Sequence, residues 1–283
     1  VVGIDDYVGE GNDLDGAAFM PKSVVINPFF DWGQDRRPRT PWHRTVVYET
    51  HVKGFTRTHP LIPDELRGTL AALAHPASIA HFKMLNVAAV ELMPITAWID
   101  ERHLYPLGLS NAWGYNAVSF MALDPRLAPN GISDLRTLAD ALHNEGIALF
   151  LDVVFNHTGE SDLMGPVLSM RGLDNALYYR HHADEPGALV NDVGTGNTLS
   201  VERGPVRGLV VDALRHFILH CGVDGFRFDL GVALARDGFP LFGIGLVGNA
   251  LLGAQLHDRV GRSGGLRMRG AGMSVPAQPG SSG

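Results

Sequence analysis

The sequence holds one cysteine, Cys221, in 283 residues, so no disulfide can close within the chain. A reducing cytoplasm is the expected setting. It has no basic run: 23 Lys and Arg against 30 Asp and Glu leave a net charge of −7. That balance argues against a nucleic acid or an anionic membrane as partner. No apolar stretch approaches the ~20 residues that span a bilayer. The opening residues, Val1 to Asp6, lack the basic and apolar regions of a signal peptide. A start on Val1 rather than Met is what a fragment or a processed product would show. No G-x-G-x-x-G follows the first strand candidate, which removes the fingerprint of a dinucleotide fold. His51, His103, His181 and His182 have no metal-ligand spacing and are expected to be solvated, so neither a metal nor another cofactor is expected.

What is present is a phrase that recurs. Val46 to Val52 reads as a strand. A helix over Ser78–Leu85, with Asn86 as a left-handed stop, leads into the strand Val87–Leu92. A helix capped by Ser133 and running to Asn144, closed by Gly146, leads into Ile147–Phe155. A helix opened by Pro205 and closed by Gly222 leads into Gly225–Asp229. Helix, stop and apolar strand in repetition imply a parallel sheet buried on both faces. Polar residues gather at the strands' C-terminal ends: Asp152, Asn156 and His157 after one, Arg227 and Asp229 in and after the next. That is the catalytic face of a (β/α)8 barrel. Strand alternation puts Phe226 and Phe228 on one face and Arg227 and Asp229 on the other. A buried structural ion pair would explain the last two as well as chemistry would.

Taken together, Asp152-Val-Val-Phe-Asn-His157 and Gly225-Phe-Arg-Phe-Asp229 resemble the first two signature regions of the α-amylase family, glycoside hydrolase family 13. Trp113-Gly-Tyr-Asn116 is similar to the family segment whose tyrosine stacks on the sugar at the cleavage point. Pro38 to Trp42, Val46 to Phe55, Val90 to Pro94, Arg171 to Arg180 and Gly194 to Leu199 narrow the resemblance to isoamylase-type glycogen debranching enzymes. It covers roughly residues 19–239. The implied fold is a partial (β/α)8 TIM barrel of class α/β, comprising the first four βα units with the C-terminal half missing. The implied activity is hydrolysis of α-1,6 branch linkages in glycogen or limit dextrin with retention. Asp229 would be the nucleophile, Arg227 its charge partner, and His157 and Tyr115 the sugar contacts. Asp152 would orient these neighbours. Asn156 matches a calcium ligand of many amylases, a role that debranching enzymes do not all keep.

The chain also departs from this pattern. A retaining glycosidase needs two carboxyl groups about 5 Å apart. The family supplies the acid as a Glu ending the fifth strand, and no Glu follows Glu202. The domain expectation is therefore a linker or remnant over 1–45, half a barrel over 46–239 with a long insert at 158–204, and a non-family, disordered tail over 240–283. The expected partner is a branched α-glucan, and the chain alone is expected to be inactive. A non-catalytic glucan-binding protein is the alternative.

Overall fold

The computed structural model describes residues 15–18, 22–27, 29–235 and 251–252. Four parallel strands lie side by side in chain order: β1 (Val47–Thr50), β2 (Ala89–Leu92), β3 (Ala148–Val153) and β4 (Gly225–Phe228). A two-residue strand, β5 (Leu251–Leu252), pairs antiparallel with the outer edge of β4. The helices are α1 (Val52–Thr56), α2 (Leu70–Leu73), α3 (Pro76–Met84), α4 (Ile132–His143), α5 (Met170–Tyr178), α6 (Gly204–Cys221) and α7 (Gly231–Ala235). Parallel neighbours need a crossover, and α3, α4 and α6 provide the three. The strand order and the mixed α/β class follow the repeated phrase in the sequence. No helix among the described residues is long and apolar enough to cross a membrane.

The period of two along each strand sorts the residues into two layers. Val90, Leu92, Leu149, Leu151, Phe226 and Phe228 join the main core with the helices. The other face carries Ala89, Ala148 and Phe150, with Val47 against them. Further along the same face stand Glu91, Asp152 and Arg227. This face is therefore apolar toward the N-terminal ends of the strands and charged toward their C-terminal ends.

Two local expectations are corrected. The first strand stops at Thr50, because the ring of His51 accepts from the Gly54 amide and starts α1 instead. Ser133 does not cap α4: Gly131 holds the N-cap position at φ +61°, and Asp134 accepts from the Asn130 amide at 2.9 Å. Apart from β5, the tail residues of 240–283 lie outside the described residues.

The segment before β1 is not a free arm. Trp32 lies against the C-cap of α6, where a Cβ on Gly222 would come within 2.6 Å of the indole. Gly222 also sits at φ +76°, so this position needs glycine for both backbone and approach. Arg37 donates to the carbonyls of Ile218 and of Val223, the latter at 2.7 Å. Trp42 reaches the ring of Phe150 at a centroid distance of 6.2 Å.

Candidate active site

The polar cluster forms where the C-terminal ends of β2, β3 and β4 meet the β2–α4 connection. Register sets its core: Asp152 and Arg227 are paired positions of β3 and β4. The Arg227 guanidinium donates through Nη1 to Asp152 Oδ2. The Tyr115 hydroxyl donates to the same oxygen at 2.6 Å and accepts from Arg227 at 3.3 Å. Glu91 of β2 lies 4.0 Å from Arg227 Nε, and Asp229 lies 4.0 Å from Nη1. The principal partner of Arg227 is thus Asp152 rather than Asp229.

Three carboxyl groups surround one guanidinium, and the electrostatics follow. Burial, then the neighbouring Asp152 and Glu49, pushes the Glu91 carboxyl up to about 7, against the pull of Arg227. Burial also raises Asp152, to about 6, although Tyr115 and Arg227 both hold it down. Its second oxygen, Oδ1, is buried with no hydrogen-bond donor among the described residues. Burial and the bond to Asp152 raise the Tyr115 phenol, which stays a neutral donor.

A second set of bonds joins His157 to Asp229. Asn156 donates from Nδ2 to the Asp229 carbonyl at 2.9 Å and to its carboxylate at 3.1 Å. Its amide oxygen meets His157 Nδ1. Asn156 thus clamps histidine to carboxylate. His157 is buried, and burial lowers its pKa, so the neutral ring prevails. The ring is held on a second side by a hydrogen bond to the backbone of Tyr115, which works against that lowering. The amide of Asp229 donates to the Val153 carbonyl at 3.0 Å, which fixes the backbone just past β4. The structure therefore brings Tyr115, Asp152, His157, Arg227 and Asp229 to one end of the sheet.

Residues outside this set behave differently. Glu160, a spare carboxylate near His157 in sequence, is fully buried. It accepts from the amides of Leu168 at 2.8 Å, Ser169 at 2.7 Å and Arg171 at 3.0 Å, and from the Tyr179 hydroxyl. It organises the insert, and these four donors occupy the oxygens through which it would have to act on a leaving group. His51 and His181 are half-buried and hydrogen-bonded, to Ala112 and to Pro186 and Asn175, whereas His103 and His182 are exposed as expected. No group of three His, Cys, Asp or Glu among the described residues could hold a metal ion. Glu91 was missed by the sequence reading. The signal was available: a lone Glu in an apolar strand, in phase with the face that carries Asp152 and Arg227.

No protein-family profile matches the chain. Curated relatives do. Over 229 residues the chain is 47% identical to the glycogen operon protein GlgX homolog of Mycobacterium bovis, covering 79% of this chain and 32% of that protein. Over 234 residues it is 51% identical to the glycogen debranching enzyme of Yersinia pseudotuberculosis, covering 81% of this chain and 35% of the enzyme. The chain thus spans about a third of the length of the curated relatives it matches. Among solved structures it resembles the type I pullulanase of Bacillus subtilis complexed with maltose, at TM-score 0.64 and 28% identity, covering 75% of this chain and 31% of that one. The pullulanase of Paenibacillus barengoltzii with maltohexaose and α-cyclodextrin aligns at TM-score 0.59 and 26% identity, over 70% of this chain and 32% of that one. Over about four-fifths of its length, the chain is homologous to glycogen debranching enzymes, with pullulanases among its structural neighbours.

Proposed function

We propose that this chain carries the nucleophile side of an α-1,6-glucan debranching site, built on the first four βα units of a (β/α)8 barrel, and that it binds branched α-glucan without cleaving it. The observation that carries the reading is the Asn156 clamp, which holds Asp229 and His157 at one end of the sheet beside the Tyr115–Asp152–Arg227 cluster. In this reading Asp229 stands as the nucleophile that would displace the glycosidic oxygen from the anomeric carbon, and Arg227 lowers the cost of its charge. Tyr115 presents its ring to the sugar, and His157 hydrogen-bonds a sugar hydroxyl. Asp152 holds Arg227 and Tyr115 in place.

The displacement does not proceed at a useful rate while the leaving group would depart as an alkoxide. The leaving oxygen must be protonated, and a positioned general acid supplies about 10²–10⁴-fold. Glu91 retains its proton near neutral pH but stands buried in the sheet, bordering the far nitrogen of Arg227. Glu160 is held by four donors. No Glu follows Glu202 in the sequence. Purified 283-residue protein incubated with a branched limit dextrin should release no reducing ends above an Asp229→Asn control, while retaining the dextrin in a binding assay. Release that the substitution abolishes would overturn the inactive reading, and absence of binding would overturn the glucan reading.

A further inference from the structure

Trp113 is the largest apolar side chain of the β2–α4 connection left open to solvent, at 62% exposure, and no role described above uses it. Its backbone is held on both sides. Asn111 Oδ1 accepts from the amides of Trp113 and Gly114, both at 2.9 Å. Asn111 is fixed in turn, donating its own amide to Asp100 at 2.7 Å and its side chain to Glu101 at 2.8 Å, while its carbonyl accepts from the Trp98 indole at 3.1 Å. On the far side Gly114 has φ +84°, and a Cβ there would meet the Pro94 carbonyl at 2.8 Å. His51, itself tied to the Ala112 carbonyl, meets the Trp113 ring in an edge-on arrangement with centroids 6.0 Å apart.

An exposed ring on a loose loop would be ordinary. This ring is exposed on a loop that eight named polar and steric contacts hold still, two residues from the hydroxyl that binds Asp152 and Arg227. An immobilised indole offers a flat apolar face with little ordering cost on binding, and its N–H remains a donor. The apolar C–H face of a pyranose ring fits such a platform, and Tyr115, two residues on, stands in the candidate site beside it.

We propose that Trp113 is a stacking platform for an α-glucan chain, a sugar subsite next to the one that Tyr115 serves. The proposal rests on the glucan-binding reading above. The chain has four tryptophans, so the indole N–H region of a ¹⁵N spectrum offers four reporters, and a Trp113→Phe variant identifies the fourth by its loss. Titration with maltohexaose should move the Trp113 resonance and leave that of buried Trp98 in place. Cellohexaose, a β-linked chain of the same length, should move it far less. Trp113→Ala should weaken maltohexaose binding about tenfold or more, the scale of one lost aromatic stack, and Trp113→Phe by less. Unchanged affinity in Trp113→Ala, or a shift confined to other indoles, would overturn the platform while sparing the glucan reading. Failure of the unsubstituted chain to bind maltohexaose would overturn both.

Discussion

The sheet carries a charged cluster at each end, and the two are built on opposite principles. At the C-terminal end Glu91, Asp152 and Asp229 crowd one guanidinium, and two of these carboxyl groups are driven toward their neutral forms. At the N-terminal end the charges close on one another. His143 is fully buried, with Nδ1 2.7 Å from Asp35 and Nε2 2.8 Å from Asp224. Carboxylates only accept, so both ring nitrogens donate and the ring is an imidazolium. Burial works against that charge, but the two carboxylates outweigh it and raise the His143 pKa. Asp224 also accepts the Leu149 amide at 2.9 Å and stands 3.6 Å from Arg37. At this end both ring nitrogens of His143 and Asp224 Oδ2 are engaged; the other end leaves Asp152 Oδ1 without a donor among the described residues. The satisfied cluster fastens the segment before β1 to the sheet. The unsatisfied one has capacity left for a ligand, at the cost of strain within the fold.

The largest test of this contrast is Asp224→Ala beside Asp152→Asn. Removing Asp224 takes one of two carboxylates from a buried imidazolium and the acceptor from the Leu149 amide, and should cost about 3–5 kcal/mol in urea unfolding. Asp152→Asn removes one negative charge from an excess of them, keeps an acceptor for Tyr115, and should cost about 1 kcal/mol or less. Equal losses would erase the distinction between the ends.

The pH dependence should separate them next. Glu91, Asp152 and His143 all have raised pKa values in the folded chain. The folded state therefore holds protons that the unfolded chain has released. Each contribution is complete below the unfolded value and is lost as pH rises through the folded one. For Glu91 that window runs from 4.5 to about 7. For His143 it opens at 6.5 and extends upward. Glu91→Gln should therefore match the unsubstituted chain near pH 4 and gain on it as pH rises, by up to about 3 kcal/mol above pH 7. His143→Gln should lose most below pH 6.5. A Glu91→Gln advantage that did not grow with pH would show that the C-terminal cluster is not under the charge excess described.

Much of the frame was legible because it rests on local patterns. Apolar runs bounded by Asn86, Gly146 and Gly222 set the three crossovers, and all three residues have positive φ. Strand phase put Arg227 and Asp229 together on the face opposite Phe226. The N-terminal cluster was not legible, because His143 meets Asp35 and Asp224 across 108 and 81 residues with no periodicity to announce it. The clamp role of Asn156 was not legible for a different reason: it depends on where Asp229 lies, 73 residues further on.

A third comparison lies between the C-terminal cluster and the insert above it. Glu160 is a carboxylate held by four donors. Glu160→Gln replaces an acceptor of backbone amides by a donor and should cost about 1–3 kcal/mol. The damage should be local, with hydrogen-exchange protection falling over 165–179 and persisting in β3 and β4. Loss of protection throughout the sheet would mean that the insert is part of the core.

The smallest effect should come from comparing one arginine at each end. Arg37 is three-quarters buried and serves two carbonyls of the α6–β4 corner, so Arg37→Ala leaves acceptors stranded and should cost about 1–3 kcal/mol. Arg102 makes as many bonds on paper: two to Asp162, at 2.9 and 3.1 Å, and one to the Met164 carbonyl at 3.1 Å. Its side chain is 37% exposed and that of Asp162 52%, so water replaces those bonds readily. Arg102→Ala should change unfolding stability by about 1 kcal/mol or less. Its consequence should instead be kinetic and confined to the loop, with faster proteolytic cleavage around 162–168 in the folded state. A large stability loss in Arg102→Ala would place the C-terminal loops among the elements that hold the fold together, and the division of labour between the two ends of the sheet would fail.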